Sequence, residues 1–195
     1  MKIYILGCGA LGSNIAMNLA FDAKDHHLVL VDFDIIEARN YQFGTQQYTP
    51  SQICQKKVDA LMLKIIMDTR RPFSDLSRLD KKLNIDKIEF EKDSLLVDCL
   101  DNYTSRLFVK TEANRLRLEC VHVGFSPAMT FEAGWNDNYS VPDDTLGSFD
   151  ICEAQGARSF IQYVAGLATN IIVDFLKKGD KLELVGNRFN VTKIE

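Results

Sequence analysis

The sequence predicts an α/β fold: a Rossmann-like, largely parallel sheet flanked by helices, with antiparallel strands toward the C-terminus. Three observations carry this. Strand-length apolar runs alternate with stretches of helical period as far as residue 125, the pattern of parallel βαβ units with right-handed crossovers. A glycine-rich turn follows the first run. Beyond residue 125 the period changes to an alternation of apolar and polar residues, the mark of an antiparallel strand with one packed face.

The elements follow in order. Lys2–Leu6 is Ile-rich and ends at glycine, so it reads as a buried strand. Leu11–Phe21 places Leu11, Ile15 and Leu19 at helical spacing, with the small residues Ala16 and Ala20. His27–Val31 is a second strand, closing on Asp32. Ser51–Met67 is expected to be a helix, with Ile53, Val58, Leu61, Ile65 and Ile66 broadly on one face and Ser51 as N-cap after Pro50. Arg70–Ile85 is charged and weakly periodic, and allows a short helix around Leu76–Leu83. Lys87–Phe90 and Leu95–Asp98 read as strands three and four, Thr104–Leu118 as a helix and Val121–Gly124 as strand five. Met129–Trp135 alternates. Asn136–Phe149 is rich in Asn, Asp, Gly, Pro and Ser and is expected to be a long loop, a length often tied to function. Ala154–Lys178 contains a long apolar helix in which Ala165, Gly166 and Ala168 permit close packing. Lys181–Val185 and Arg188–Ile194 flank Gly186-Asn187, a two-residue hairpin turn. No repeat or linker interrupts the pattern. One domain is expected over 1–195, with a core at 1–125 and an antiparallel strand, loop, helix and hairpin at 126–195.

Composition narrows the function classes. The 195 residues carry 23 Lys and Arg against 27 Asp and Glu, a net charge of −4, and 46% are hydrophobic. That apolar content excludes a disordered chain. The acidic balance gives no support for nucleic-acid binding or for attachment to a membrane surface. No run approaches the roughly 18 apolar residues of a membrane span, and glycines interrupt the N-terminus before a signal segment develops. A cytoplasmic location is expected. Cys8, Cys54, Cys99, Cys120 and Cys152 are odd in number and contain no C-x-x-C pair. Free buried thiols are the simplest reading, and neither a disulfide framework nor zinc is expected.

Gly7-Cys8-Gly9-Ala10-Leu11-Gly12 matches G-x-G-x-x-G between a strand and a helix. Gly7 permits the tight turn, Gly9 lets a phosphate approach the backbone, and Gly12 permits helix–strand packing. The phosphate would then lie on free N–H groups at the positive helix end. Asp32 ends the second strand, where a carboxylate can accept from ribose hydroxyls. These features predict a nucleotide site, and they serve NAD and ATP equally well.

The segments that follow are more specific. They are Asp32-Phe33-Asp34-Ile35-Ile36, Asn40-Tyr41-Gln42-Phe43-Gly44, Lys56-Lys57 and Asp98-Cys99-Leu100-Asp101-Asn102-Tyr103-Thr104-Ser105-Arg106. With the glycine turn, they resemble the ThiF/MoeB/HesA family, bacterial relatives of ubiquitin-activating enzymes. The shared pattern is a glycine turn, D-x-D-x-V, N-x-x-R-Q, a lysine on the next helix, and D-x-x-D-N-x-x-x-R. The resemblance runs from Lys2 to about Gly179. It implies an ATP-dependent adenylyltransferase acting on the C-terminal carboxylate of a small ubiquitin-like or sulfur-carrier protein, with Mg²⁺ and as a homodimer. It further implies that Gly7, Gly9, Ala10 and Gly12 form the phosphate turn and that Asp32, with Asp34, lies at the ribose. Asn40 and Lys57 would meet phosphates, Asp101 would hold Mg²⁺ beside Asn102, and Asp101 and Lys57 would be catalytic. Arg106 would brace the Asp101 loop or contact substrate. Cys152, in Asp150-Ile151-Cys152-Glu153-Ala154-Gln155-Gly156, resembles a cysteine that bonds covalently to the carrier. Plainer roles stand beside these: Asp34 as a loop cap, Lys56-Lys57 as a solvated helix face, Asp101-Asn102 as an ordinary helix N-cap, Arg106 as structural and Cys152 as an unreactive thiol. His26, His27 and His122 read as structural, and Trp135 as a core or loop anchor.

The sequence also departs from that family. The arginine of N-x-x-R-Q is Phe43, which removes a charge-assisted contact of about 1.5–3 kcal/mol. The N-terminal arginine-bearing segment of longer members is not expected here, as in the short ThiF-like branch that this sequence most resembles, and the two C-x-x-C zinc pairs of many members are missing. Two alternatives therefore stand behind adenylation: a non-catalytic carrier-binding or scaffold subunit, favoured by Phe43, and an NAD-dependent oxidoreductase, permitted by the turn and Asp32.

Overall fold

The structure is a computed structural model that describes residues 1–143 and 154–194. Eight strands form one sheet in the order β3-β2-β1-β4-β5-β6-β7-β8. β1 (Lys2–Leu6), β2 (His27–Val31), β3 (Leu76–Leu79), β4 (Leu95–Asp98) and β5 (Glu119–Phe125) run parallel. β6 (Thr130–Trp135), β7 (Glu183–Asn187) and β8 (Val191–Ile194) continue the sheet antiparallel. The α/β class with C-terminal antiparallel strands is the one the sequence predicts. The helices are α1 (Ala10–Asp22), α2 (Ala38–Gln42), α3 (Lys57–Thr69), α4 (Tyr103–Leu116) and α5 (Ala157–Lys178).

Alternate residues of the central strands enter two cores, which is why their sequences are continuously apolar. Ile3, Ile5, Leu28, Leu30, Leu95 and Val97 pack with α1, α3 and α5 on one face. Tyr4, Leu6, Val29, Val31 and Leu96 pack with Val109 and Ala113 of α4 on the other. By length and composition α5 is apolar enough to cross a membrane, a point the run-length reading missed because polar residues interrupt it. In the fold, Ile161, Val164, Ala165, Ala168 and Ile172 of α5 are buried in the core shared with α1, and Asn18 Nδ2 donates to Thr169 Oγ1 at 3.3 Å.

Several boundaries depart from expectation for identifiable reasons. The third strand is β3 at Leu76–Leu79, where a short helix was allowed; Lys87–Phe90 is irregular. Phe90 is apolar because it packs edge-on against Tyr4, at 5.2 Å between ring centroids. β3 is an edge strand in which Ser77 accepts or donates to His27 Nε2 at 2.7 Å and Arg78 pairs with Asp59, so its sequence is half polar. The helix expected from Ser51 begins at Lys57. Residues 50–52 form one 3₁₀ turn, and Ile35 bridges Lys56 in antiparallel fashion. Ile36 N donates to Gln55 O at 2.8 Å and Cys54 N to Ile36 O at 2.9 Å, holding this stretch extended. Ile53 is accordingly exposed. Gly186-Asn187 belongs to β7, and the hairpin turn is 188–190, where Asn187 Oδ1 accepts from Phe189 N and Asn190 N.

Gly12 is a packing requirement. A Cβ built there lies 1.8 Å from Gly7 O, whereas one on Gly9 meets nothing within 4 Å. Gly12→Ala is expected to destabilise the protein by about 3 kcal/mol, near the upper end for overpacking, and Gly9→Ala by clearly less. Urea denaturation of both variants checks the difference.

Candidate functional site

The strand order reverses between β1 and β4. In open α/β sheets, ligands bind at such a switch point, beyond the C-terminal strand ends. Three loops leave those ends side by side: Gly7 N donates to Val31 O at 2.9 Å, Cys99 N to Leu6 O at 2.9 Å, and Asp32 N to Leu79 O at 3.2 Å. An open cavity of about 770 Å³ lies at the other end of the sheet, away from the switch point, lined by residues such as Lys2, His26, His27 and Glu91.

The turn after β1 has the geometry an anion needs. Gly7 has φ +88°, a conformation L side chains rarely adopt. Gly9 is the N-cap of α1, no side chain caps the helix, and the space over Gly9 is open. The first N–H groups of α1 thus meet no capping group.

Asp32 braces this turn. Its Oδ2 accepts from Cys8 N at 2.7 Å and its Oδ1 from Asp34 N at 2.8 Å. Burial pushes its pKa up, opposed by Lys57 and by those two N–H groups. Each oxygen keeps a second lone pair for a hydroxyl donor. Lys57 is the first residue of α3, because its backbone N donates to Asp34 O at 3.0 Å. Its side chain is only 9% exposed, and Nζ donates to Asp34 Oδ2 at 2.8 Å. Two ammonium donors remain. Lys56 points elsewhere, to Phe33 O and Asp80. Lys57 is thus no solvated helix face, and Asp32, Asp34 and Lys57 form one chain of contacts from the glycine turn. Asn40 is buried in α2; its Oδ1 accepts from Glu37 N at 2.7 Å, and its Nδ2 has no partner among the described residues.

Sequence reasoning missed the clamp that holds the 33–56 loop over the turn. Tyr48 OH donates to Cys8 O at 2.6 Å. Asn14 Nδ2 donates to both Ala10 O and Thr45 O, at 2.7 and 2.9 Å, and Gln47 Nε2 donates to Asn14 Oδ1 at 2.7 Å. Two buried polar atoms in this loop, Thr45 Oγ1 and Gln46 Oε1, have no partner among the described residues. The adjacent polar residues Ser13 and Asn14 near the start of α1 were the sequence signal.

The loop after β4 divides into a buried and an exposed carboxylate. Asp98 is fully buried: its Oδ2 meets His122 Nδ1 at 2.7 Å, and its Oδ1 accepts from Leu100 N at 3.0 Å. His122 Nε2 meets Asn136 Oδ1 at 2.8 Å, and the ring stacks on Tyr139 at 3.8 Å. Arg106 donates from Nη1 to Tyr139 OH at 2.7 Å and from Nη2 to Val123 O at 3.0 Å. Burial opposes its charge, but Asp98 and Tyr139 outweigh this and hold its pKa above the ordinary arginine value. Arg106 is therefore structural and does not reach a substrate surface. His122 is structural too, but with a partner set that the sequence did not reveal. Asp101 is exposed, and Asn102 Nδ2 donates to its Oδ1 at 3.4 Å. Asn102 caps α4, accepting from Ser105 N at 2.9 Å, so its amide oxygen is committed to the helix.

Among the described residues, no group of three or more His, Cys, Asp and Glu side chains is placed to hold a metal ion. A lone exposed Asp101 suits Mg²⁺, which takes one or two carboxylates together with substrate phosphates. Cys8 and Cys120 are buried thiols whose pKa is raised by desolvation. Cys54 departs from the buried expectation: it is exposed, with φ +66°. Cys152 lies outside the described residues, as do positions 144–149 of the expected loop.

A model of the ThiF family matches residues 1–195. The chain belongs to the ThiF family. No curated protein matches it by sequence. Among solved structures, this ThiF-family chain is similar to E. coli MccB with MccA, at TM-score 0.74 and 15% identity, covering 100% of this chain and 63% of MccB. It is similar to E. coli MccB with ATP at TM-score 0.71 and 13% identity, covering 99% and 62%. The ThiF-family chain thus spans less than two thirds of MccB in these structures.

His122→Phe keeps a ring against Tyr139 but leaves the Asp98 carboxylate short of a buried partner. It is expected to cost about 3 kcal/mol of stability, measurable by urea denaturation.

Proposed function

We propose that this chain adenylates a C-terminal carboxylate: the carboxylate attacks the α-phosphate of ATP and releases pyrophosphate, leaving an acyl-adenylate. The carrying observation is the chain of contacts from Cys8 N through Asp32 and Asp34 to Lys57 Nζ. It brings an uncapped helix N-terminus, a ribose-type carboxylate and a cation together at the switch point. Membership of the ThiF family supports the same reading, as does the likeness to MccB, one structure of which contains ATP.

In this reading the protein supplies placement and charge. The N–H groups of Gly9 and Ala10 hold phosphate oxygens. The second lone pairs of Asp32 accept from the ribose. Lys57, held by Asp34, presents its two remaining donors to developing negative charge, and Asn40 Nδ2 offers another. Asp101 would hold Mg²⁺, whose charge would offset that of the phosphates. The carboxylate donor is a small ubiquitin-like or sulfur-carrier protein or a short peptide; MccA accompanies MccB in the similar structure. A homodimer and cytoplasmic activity belong to the same proposal.

Phe43 favours a second reading. It is partly exposed and ends α2 without any charge, as in a subunit that binds a carrier but does not turn over. ATP–pyrophosphate exchange with candidate carriers and peptides separates the two. Exchange supports adenylation, whereas normal folding with no exchange for any carrier supports the binding subunit.

Two substitutions test the site. Asp101→Ala removes an exposed side chain with one weak contact, so stability should stay within about 0.5 kcal/mol while exchange falls by about 100-fold or more. Retained exchange would contradict the assignment. Cys152→Ala should leave exchange unchanged and alter only a later covalent step.

A further inference from the structure

We infer that Arg158, on the first turn of α5, is a phosphate-binding residue of the nucleotide site; this rests on the reading of that site as one for ATP. The site gathers carboxylates from Asp32, Asp34 and Asp101, and the chain is acidic overall. A nucleoside triphosphate needs positive charge there. The charge of each cation nearby is already balanced by a carboxylate, Lys57 by Asp34, Lys56 by Asp80, Arg39 by Glu37 and Arg106 by Asp98, so Lys57 brings donors to the phosphates but no net positive charge. Among the described residues, Arg158 has no carboxylate partner and is exposed.

Its position is specific. The Arg158 Cδ and Nε lie 3.4 Å from where a Cβ of Gly44 would stand. Gly44 has φ +64°, so this contact lies in a turn that favours glycine. The next residue, Thr45, is tied by its carbonyl to Asn14 Nδ2, which also holds Ala10 O of the phosphate turn. Arg158 therefore stands against the same loop that is fastened to the N-terminal turn of α1. Arg188 likewise lacks a carboxylate among the described residues, but its guanidinium packs on Gly156 and the Phe189 ring and does not touch this loop.

The test is calorimetric titration of the full chain with ATP and AMP, each with magnesium. Arg158→Gln should weaken ATP by about tenfold, the size of one charge-assisted contact, and change AMP by less than about twofold. Phe43→Arg restores a guanidinium one residue from Gly44 and should recover most of the ATP affinity of Arg158→Gln. An Arg158→Gln variant that binds ATP like the wild type, or that loses ATP and AMP equally, overturns the role of Arg158 while leaving the ATP site intact. A wild-type chain that binds neither nucleotide overturns the ATP reading and this proposal with it.

Discussion

The site depends on one carboxylate. Asp32 joins two segments that are distant in sequence, accepting from Cys8 N in the glycine turn and from Asp34 N in the loop after β2. It works beside the Tyr48–Cys8 and Asn14–Thr45 contacts, which tie the 33–56 loop to the same turn. With it, Asp34 is oriented to receive Lys57, and Lys57 in turn begins α3 through its own backbone contact to Asp34. The cost is visible in the raised pKa of a buried carboxylate. Backbone N–H donors and a nearby cation offset that cost, the usual condition for keeping a buried charge.

A second, deeper anchor lies under the loop after β4. Asp98, His122, Asn136, Tyr139 and Arg106 form a buried polar cluster. Such clusters fix geometry when every member is satisfied. This one separates two carboxylates that stand three residues apart: Asp98 is spent on structure, and Asp101 is left exposed. That division leaves Asp101 available in the proposed chemistry without any cost to the fold.

What the sequence made legible was short in range. Gly7 to Gly12, Asp32 and the strands of the sheet centre follow from local spacing and apolar content. Pairings between residues distant in the chain were not legible. β3 was hidden because an edge strand needs few apolar residues, as Leu-Ser-Arg-Leu illustrates. The start of α3 was misplaced because pairing of Ile35 with Lys56 overrides local helix preference. Tyr48 over Cys8 and His122 beside Asp98 join residues 40 and 24 positions apart, and no periodicity signals such contacts. The commitment of Arg106 to the interior was likewise visible only in three dimensions.

In the proposed chemistry, backbone N–H groups at the start of α1 receive the phosphates of ATP. The most direct measurement is an amide nuclear magnetic resonance titration that follows Gly9 and Ala10 while ATP with magnesium, and separately NAD, is added. Saturable shifts of both amides are expected with ATP, and none of comparable size with NAD. Amides at Gly9 and Ala10 that stay fixed under saturating ATP, or that respond to NAD instead, would contradict it.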